Sequence, residues 1–242
     1  MTAREGPVAL VGSGEYLPVM DAVERALLAG RPQRMVQLAT AAAPEGPERL
    51  AWWHHLGRQA AERLGVEQVV VPVIDRASAD DPALAAMVSG AGLVYLSGGN
   101  PPFLAATLRG SRVWTAIETV WRTGAALAGC SAGAMAMTRQ VTDIRHPLRA
   151  PERGLSVVPQ LRVIPHFDRF ARRMPTKALR RLAAPAPGVT VLGIDEETAL
   201  VGGPDEWEVQ GRRSVWELTS GRRIEHPAGS RLRLPTVPVI AD

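Results

Sequence analysis

Cysteine occurs once in this chain of 242 residues, at Cys130, and lysine once, at Lys177. One cysteine excludes an internal disulfide and a thiolate zinc site. Histidine is scarce too. None of the five falls in an HxxxH or HExxH spacing, and the neighbours His54 and His55 would point in different directions from a helix. No metal or cofactor is expected on these grounds. No apolar run approaches the ~20 residues that a membrane-spanning helix needs. The opening stretch MTAREGPVALVGSG lacks a signal-peptide layout, because its apolar run is short and broken by the glycines of a turn. Cytoplasmic location and no membrane partner are the expectations. Aromatic–basic interleaving is absent, so no nucleic-acid partner is expected. The net charge of +4 and pI near 10.1 overstate the basicity. Arginine supplies all but one of the 28 basic residues, which leaves few groups titrating near pH 10. Most arginines read as solvated helix faces.

What is present is an ordinary globular composition, 46% apolar and 21% charged, with a length suited to one domain over residues 1–242. Short apolar runs alternate with helical patterns. PVALVGSG, RMVQLATAA, EQVVVPVI, GLVYLSGG and GAALAGCS read as strands. Leu17–Ala29, Pro47–Leu64, Asp81–Ser89 and Pro101–Trp121 read as helices between them. Near-continuous apolar strands in this rhythm predict an α/β fold: a mostly parallel, doubly wound sheet with helices on both faces. After Arg139 the rhythm changes. GLSVVPQLRVIPHF contains one or two strands, and Arg169–Leu182 is a basic helix candidate. VTVLGIDEETALVGG reads as a strand pair around a turn, EWEVQGRRSVWELTSG as a hairpin around Gln210–Gly211, and the Pro-rich end as a tail or edge strand. These segments predict added C-terminal antiparallel strands.

Ligands of open α/β sheets bind beyond the carboxyl ends of the strands, which selects GSGEY, ATAAAPE, SGGNPP and GCSAGA. GSGEY has Leu17 where a dinucleotide fingerprint needs its third glycine, and reads as a tight strand-to-helix turn. GCSAG fits the G-x-S-x-G nucleophile elbow, after the buried strand AALA and before a helix beginning AMAM. Ser131 stands at the apex. Cys130 still belongs to the strand, so its side chain should turn into the sheet packing as a small apolar group. The other reading of Ser131 is a hydroxyl that caps the following helix. A serine nucleophile needs a base and an orienting acid. His166, at the end of the strand-like run RVIPHF, stands at the correct edge of the sheet. The acid is left open between Asp168 and one of those in LGIDEETAL. A glycine N–H of SGGNPP, with that of Ala132, could form an oxyanion hole.

The ordered set GGN, GCSAGA, PHF and GIDEETA resembles the dipeptidase E / cyanophycinase family of serine peptidases, whose fold is of the class I glutamine amidotransferase-like group. The likeness runs from GSGE to GIDEETALV. It implies Ser131 as nucleophile, His166 as general base and Glu196 as the triad acid, with Glu197 in a variable slot. It also implies Gly99 and Ala132 as oxyanion donors, and Asn100 of the same loop as a candidate substrate contact. Where many relatives have Gln or Thr after GGN, here stands Pro101; where cyanophycinases tend to show DQHF, here stands IPHF. Both depart from the polymer-degrading branch. Dipeptidase E relatives favour an N-terminal aspartate, whose carboxylate wants an arginine, and Arg169, Arg172 and Arg173 are the candidates. The expectation is a serine hydrolase cutting an amide bond in a small, acidic, peptide-like substrate, with a homodimer compatible. Alternatives are acyl transfer to an amine on the same scaffold, or a binding protein that keeps only the pocket.

Overall fold

The computed structural model describes residues 5–142, 150–169, 188–219 and 222–234. Through the first half, strands and helices alternate: β1 (Val8–Val11), α1 (Asp21–Leu28), β2 (Arg34–Leu38), α2 (Pro47–Leu64), β3 (Glu67–Val70), α3 (Arg76–Ala79), α4 (Pro82–Ala86), β4 (Leu93–Leu96), α5 (Pro101–Leu108), α6 (Arg112–Arg122), β5 (Ala126–Cys130) and α7 (Ala132–Ala136). Strands dominate the second half: β6 (Gln140–Val141), β7 (Glu152–Arg153), β8 (Leu161–Pro165), β9 (Thr190–Ile194), β10 (Thr198–Gly202), β11 (Glu206–Gly211), β12 (Ser214–Thr219), β13 (Arg222–Pro227) and β14 (Arg231–Arg233).

The large sheet has the order β14-β11-β10-β1-β5-β4-β2-β3. The five strands from β1 to β3 run parallel, and β10, β11 and β14 extend the sheet antiparallel beyond β1. Alternation along the strands divides the core. Leu10, Val36, Val94 and Leu127 face a layer that includes Leu104, Ile117 and Met135 of α5, α6 and α7. Ala9, Met35, Tyr95 and Cys130 face the layer of Leu27 and Ala60 from α1 and α2. The parallel, doubly wound sheet read from the apolar runs is thus present.

Three local expectations differ. Pro101–Trp121 is two helices. Gly110, at φ 67, breaks the segment, and Ser111 caps the second helix by accepting the Trp114 N–H at 3.0 Å. The two C-terminal strand pairs are not hairpins. β9 and β12 pair with each other in a separate sheet of order β13-β12-β9-β8, while β10 and β11 pair in the large one. The chain therefore crosses between sheets at Asp195–Glu197, again at Gly211–Arg213, and once more at Ala228–Ser230 between β13 and β14. Asp195, buried at the first crossing, accepts the Trp216 indole N–H at 3.1 Å and the Ser214 N–H at 3.3 Å. Local alternation carries no information about which sheet a strand joins. β13 has no counterpart among the expected strands. Its sequence RRIEHP is polar, and it lies on an edge beside β12, where no apolar face is required. β14 is the anticipated edge strand, whereas most of the basic segment 169–182 lies outside the described residues. Among the described residues no helix is long and apolar enough to cross a membrane.

One core group makes stability depend on pH. Glu24 of α1 is 1% exposed; its Oε1 accepts the Tyr16 N–H at 3.1 Å, and its Oε2 has no partner among the described residues. Burial, with Asp21 adding to it, pushes its carboxyl up to about 8. Between the ordinary carboxylate value and pH 8 the folded chain holds a proton that the unfolded chain has released. Stability from this group is therefore full at low pH and falls as pH rises through that window. Glu24→Gln keeps the acceptor for Tyr16 and removes the titration. The variant should outlast the parent by roughly 2–4 kcal/mol at pH 8 and match it near pH 4. Urea denaturation at a series of pH values checks this; parallel curves from pH 5 to 8 would refute it.

Candidate active site

β5 runs straight into a reversal. Ser131 has φ 49 and ψ −103, a backbone conformation that a side-chain-bearing residue rarely adopts, and α7 starts at the next residue. The Ser131 N–H donates to Val11 O at 2.9 Å, which ties the turn to the neighbouring strand. The hydroxyl makes no capping bond to α7. Instead Oγ lies 2.7 Å from His166 Nε2. The structure thus brings together two residues that are 35 apart in the chain.

His166 directly follows β8 with its own unusual φ of 135. Its neighbour Phe167 is buried in the small sheet's core with Ile164, Val191 and Leu218. A Cβ on Gly193 would lie 2.4 Å from the Phe167 ring, so the missing side chain is what lets the ring seat there. This anchoring holds the imidazole at the seam between the sheets. On its other side, His166 Nδ1 lies 3.4 Å from Glu196 Oε1, at the first crossing between the sheets. A proton on Nδ1 directed at the carboxylate leaves Nε2 to accept the Ser131 hydroxyl proton.

The neighbouring acids separate by contact. Asp168 Oδ1 accepts the Glu196 N–H at 3.2 Å, and its other oxygen pairs with Arg213. It holds the backbone of Glu196 and is not the group on the histidine. Glu197 points away, with Oε2 2.9 Å from Arg212. Arg169 Nε stands 2.8 Å from Glu196 Oε2. The arginine expected only as a substrate contact is thus already on the acid, although its side chain is 72% exposed. Arg172 and Arg173 lie outside the described residues.

SGGNPP closes the site from the end of β4. Gly99 has φ 144, and a Cβ there would lie 2.3 Å from Ala41 O. Adjacent N–H groups are committed: Gly98 to Glu15 Oε1 at 3.0 Å, Asn100 to Ala41 O at 2.7 Å. Asn100 Oδ1 accepts the Phe103 N–H at 3.0 Å and so caps α5. Its oxygen serves the helix, where a substrate contact was expected.

Cys130 is fully buried, as its strand position predicts. It is not plain apolar packing, however: Sγ–H donates to Glu15 Oε2 at 2.6 Å. Burial first, then the Glu15 carboxyl beside it, pushes the thiol well above its ordinary value, which disfavours a thiolate. Burial also raises the Glu15 carboxyl, while the bonds from Cys130 and Gly98 pull it back down. Reading GSGEY as a turn missed this acid. The available signal was a carboxylate placed directly after a strand-end glycine turn, at the edge of the sheet where ligands bind.

Known proteins share this arrangement of elements. The family model described as peptidase family S51 matches residues 10–209. The chain belongs to peptidase family S51. A solved structure of a peptidase from an acI-B1 Actinobacterium is 38% identical over 96% of this chain and 98% of its own, with a TM-score of 0.88. A second, assigned as a peptidase E of Listeria monocytogenes, is 16% identical over 86% of this chain and 98% of its own at TM-score 0.62, which shares the fold. No curated protein matches the sequence. The resemblance to the dipeptidase E / cyanophycinase family read from four short motifs thus extends over most of the chain. The elbow, the histidine and the acid all lie within the matched S51 region.

Proposed function

We propose that this S51 chain is a serine peptidase that hydrolyses an amide bond in a small acidic peptide. The observation that carries the reading is the 2.7 Å contact between Ser131 Oγ and His166 Nε2 at a strained strand-to-helix turn. Oγ attacks the substrate carbonyl carbon as Nε2 takes its proton. The carbonyl electron pair moves onto oxygen, which receives hydrogen bonds from the Gly99 and Ala132 N–H groups. Glu196 holds the imidazole and balances its charge. Collapse of the intermediate breaks the C–N bond, and the departing nitrogen takes the proton from His166. Water, deprotonated by the same nitrogen of His166, then releases the acid and restores Ser131. Arg169 supports the acidic preference: Nε is engaged by Glu196, and the rest of its exposed guanidinium can face a substrate carboxylate.

A fluorophosphonate probe tests the nucleophile without a known substrate. The parent chain and Cys130→Ala should both become labelled at Ser131; a label elsewhere, or none, refutes the reading. Hydrolysis of an aspartyl anilide, followed with and without added amine, should give free aspartate in both cases. An aspartyl amide as main product would instead assign acyl transfer.

A further inference from the structure

Two successive residues of the first loop grip two successive residues of the fourth strand's loop. Glu15 Oε1 accepts the Gly98 N–H at 3.0 Å, and the Tyr16 and Ser97 hydroxyls are 3.0 Å apart. The second oxygen of Glu15 accepts the Cys130 thiol at 2.6 Å, one residue before Ser131. Glu15, Tyr16, Ser97 and Cys130 are all buried, Glu15 to 4% exposure. A methyl group placed on Gly98 would lie 3.2 Å from Glu15 Oε1 and 3.6 Å from Ser131 Cβ. The loop therefore passes between the carboxyl and the nucleophile.

We propose that Glu15 is a positioning residue of this site: its carboxyl bridges the Gly98 N–H and the Cys130 thiol, and so fixes the Gly99 N–H relative to the Ser131 oxygen. This rests on the hydrolase reading, because Gly99 matters only if an oxyanion forms. Burying an acid has a cost, and in this place hydrogen bonds from both sides of the nucleophile offset it. An apolar side chain would fill the same space but would tie neither end. The action passes through geometry rather than charge. A neutral amide of the same length can accept from Gly98 with its oxygen and donate to Cys130 Sγ with its nitrogen.

The test compares E15Q, E15D and E15M by the rate at which a fluorophosphonate labels Ser131, alongside thermal melts. E15Q should react within about threefold of the parent. E15D, one methylene too short to span both partners, and E15M, with no acceptor, should each be slower by about tenfold or more, in line with loss of an oxyanion-hole donor. On an aspartyl anilide the loss should fall on kcat with KM little changed, because the oxyanion exists only in the transition state. E15D or E15M reacting at the parent rate overturns the proposal. So does E15Q reacting as slowly as E15M, which would assign the role to charge. A parent chain that takes no label overturns the hydrolase reading together with this one. If E15M does not melt cooperatively, the contrast of E15D with E15Q decides alone.

Discussion

Ser131→Ala is expected to lower turnover of an aspartyl anilide by about 10⁴-fold or more, with the melting temperature close to the parent's. Removing the nucleophile of a serine triad leaves only what binding and the oxyanion donors supply, typically about 10³–10⁴ over water. The hydroxyl bonds to His166 and does not cap α7, so its loss removes no helix-terminal contact. Ser131→Gly should be as inactive but more stable. At φ 49 and ψ −103 a Cβ is costly, on the order of 1–3 kcal/mol. Part of that relief is lost to the greater freedom of glycine in the unfolded chain, about 0.5–1 kcal/mol. A net gain of about 1 kcal/mol corresponds to a rise of about 2–4 °C for a chain of this size. Calorimetry and anilide kinetics on the three proteins check both halves. More than about 1% residual activity in Ser131→Ala would remove Ser131 from the role of nucleophile.

Gly133→Ala should damage activity and stability together. A Cβ at Gly133 would lie 2.2 Å from Leu96 O and 3.0 Å from Leu96 C, both backbone atoms at the end of β4. No rotamer change relieves a backbone clash, so α7 must back away from the sheet. That movement carries the Ala132 N–H and Ser131 with it. A misplacement of about 1 Å costs up to about 10²-fold in rate, and overpacking of this kind costs about 1–3 kcal/mol. A variant within about threefold of the parent rate, with an unchanged melt, would show that the helix has room to yield.

The doubly wound half of the fold was legible because its strands are buried on both faces and read as unbroken apolar runs. The elbow was legible because a sharp strand-to-helix turn demands small residues at fixed offsets, and GCSAGA supplies them. The acid was harder. Asp168, Glu196 and Glu197 are all open as the acid from the sequence, and only the approach of the two sheets shows that Glu196 faces His166, Asp168 holds the backbone and Glu197 turns to Arg212. The strands after Thr190 alternate in the same way whether they form a hairpin or part company, so their division between two sheets is a tertiary fact. The pattern around Glu15 shows only a turn, because burial, not pattern, gives that carboxyl its character. Arg169 is legible only as a charge, and its ion pair with Glu196 arises from the position of the chain after β8.

The division into two sheets bears on the proposed chemistry as well as on topology. Ser131 rides on the end of β5 in the large sheet, whereas His166 follows β8 and Glu196 follows β9, both in the small one. The proton path proposed above therefore spans both sheets. A binding event or a remote substitution that slides one sheet along the other would detune the serine–histidine contact while leaving every site residue in place. Reactivity toward a fluorophosphonate would thus double as a gauge of that alignment, and the crossings at Asp195–Glu197, Gly211–Arg213 and Ala228–Ser230 tie the two sheets together.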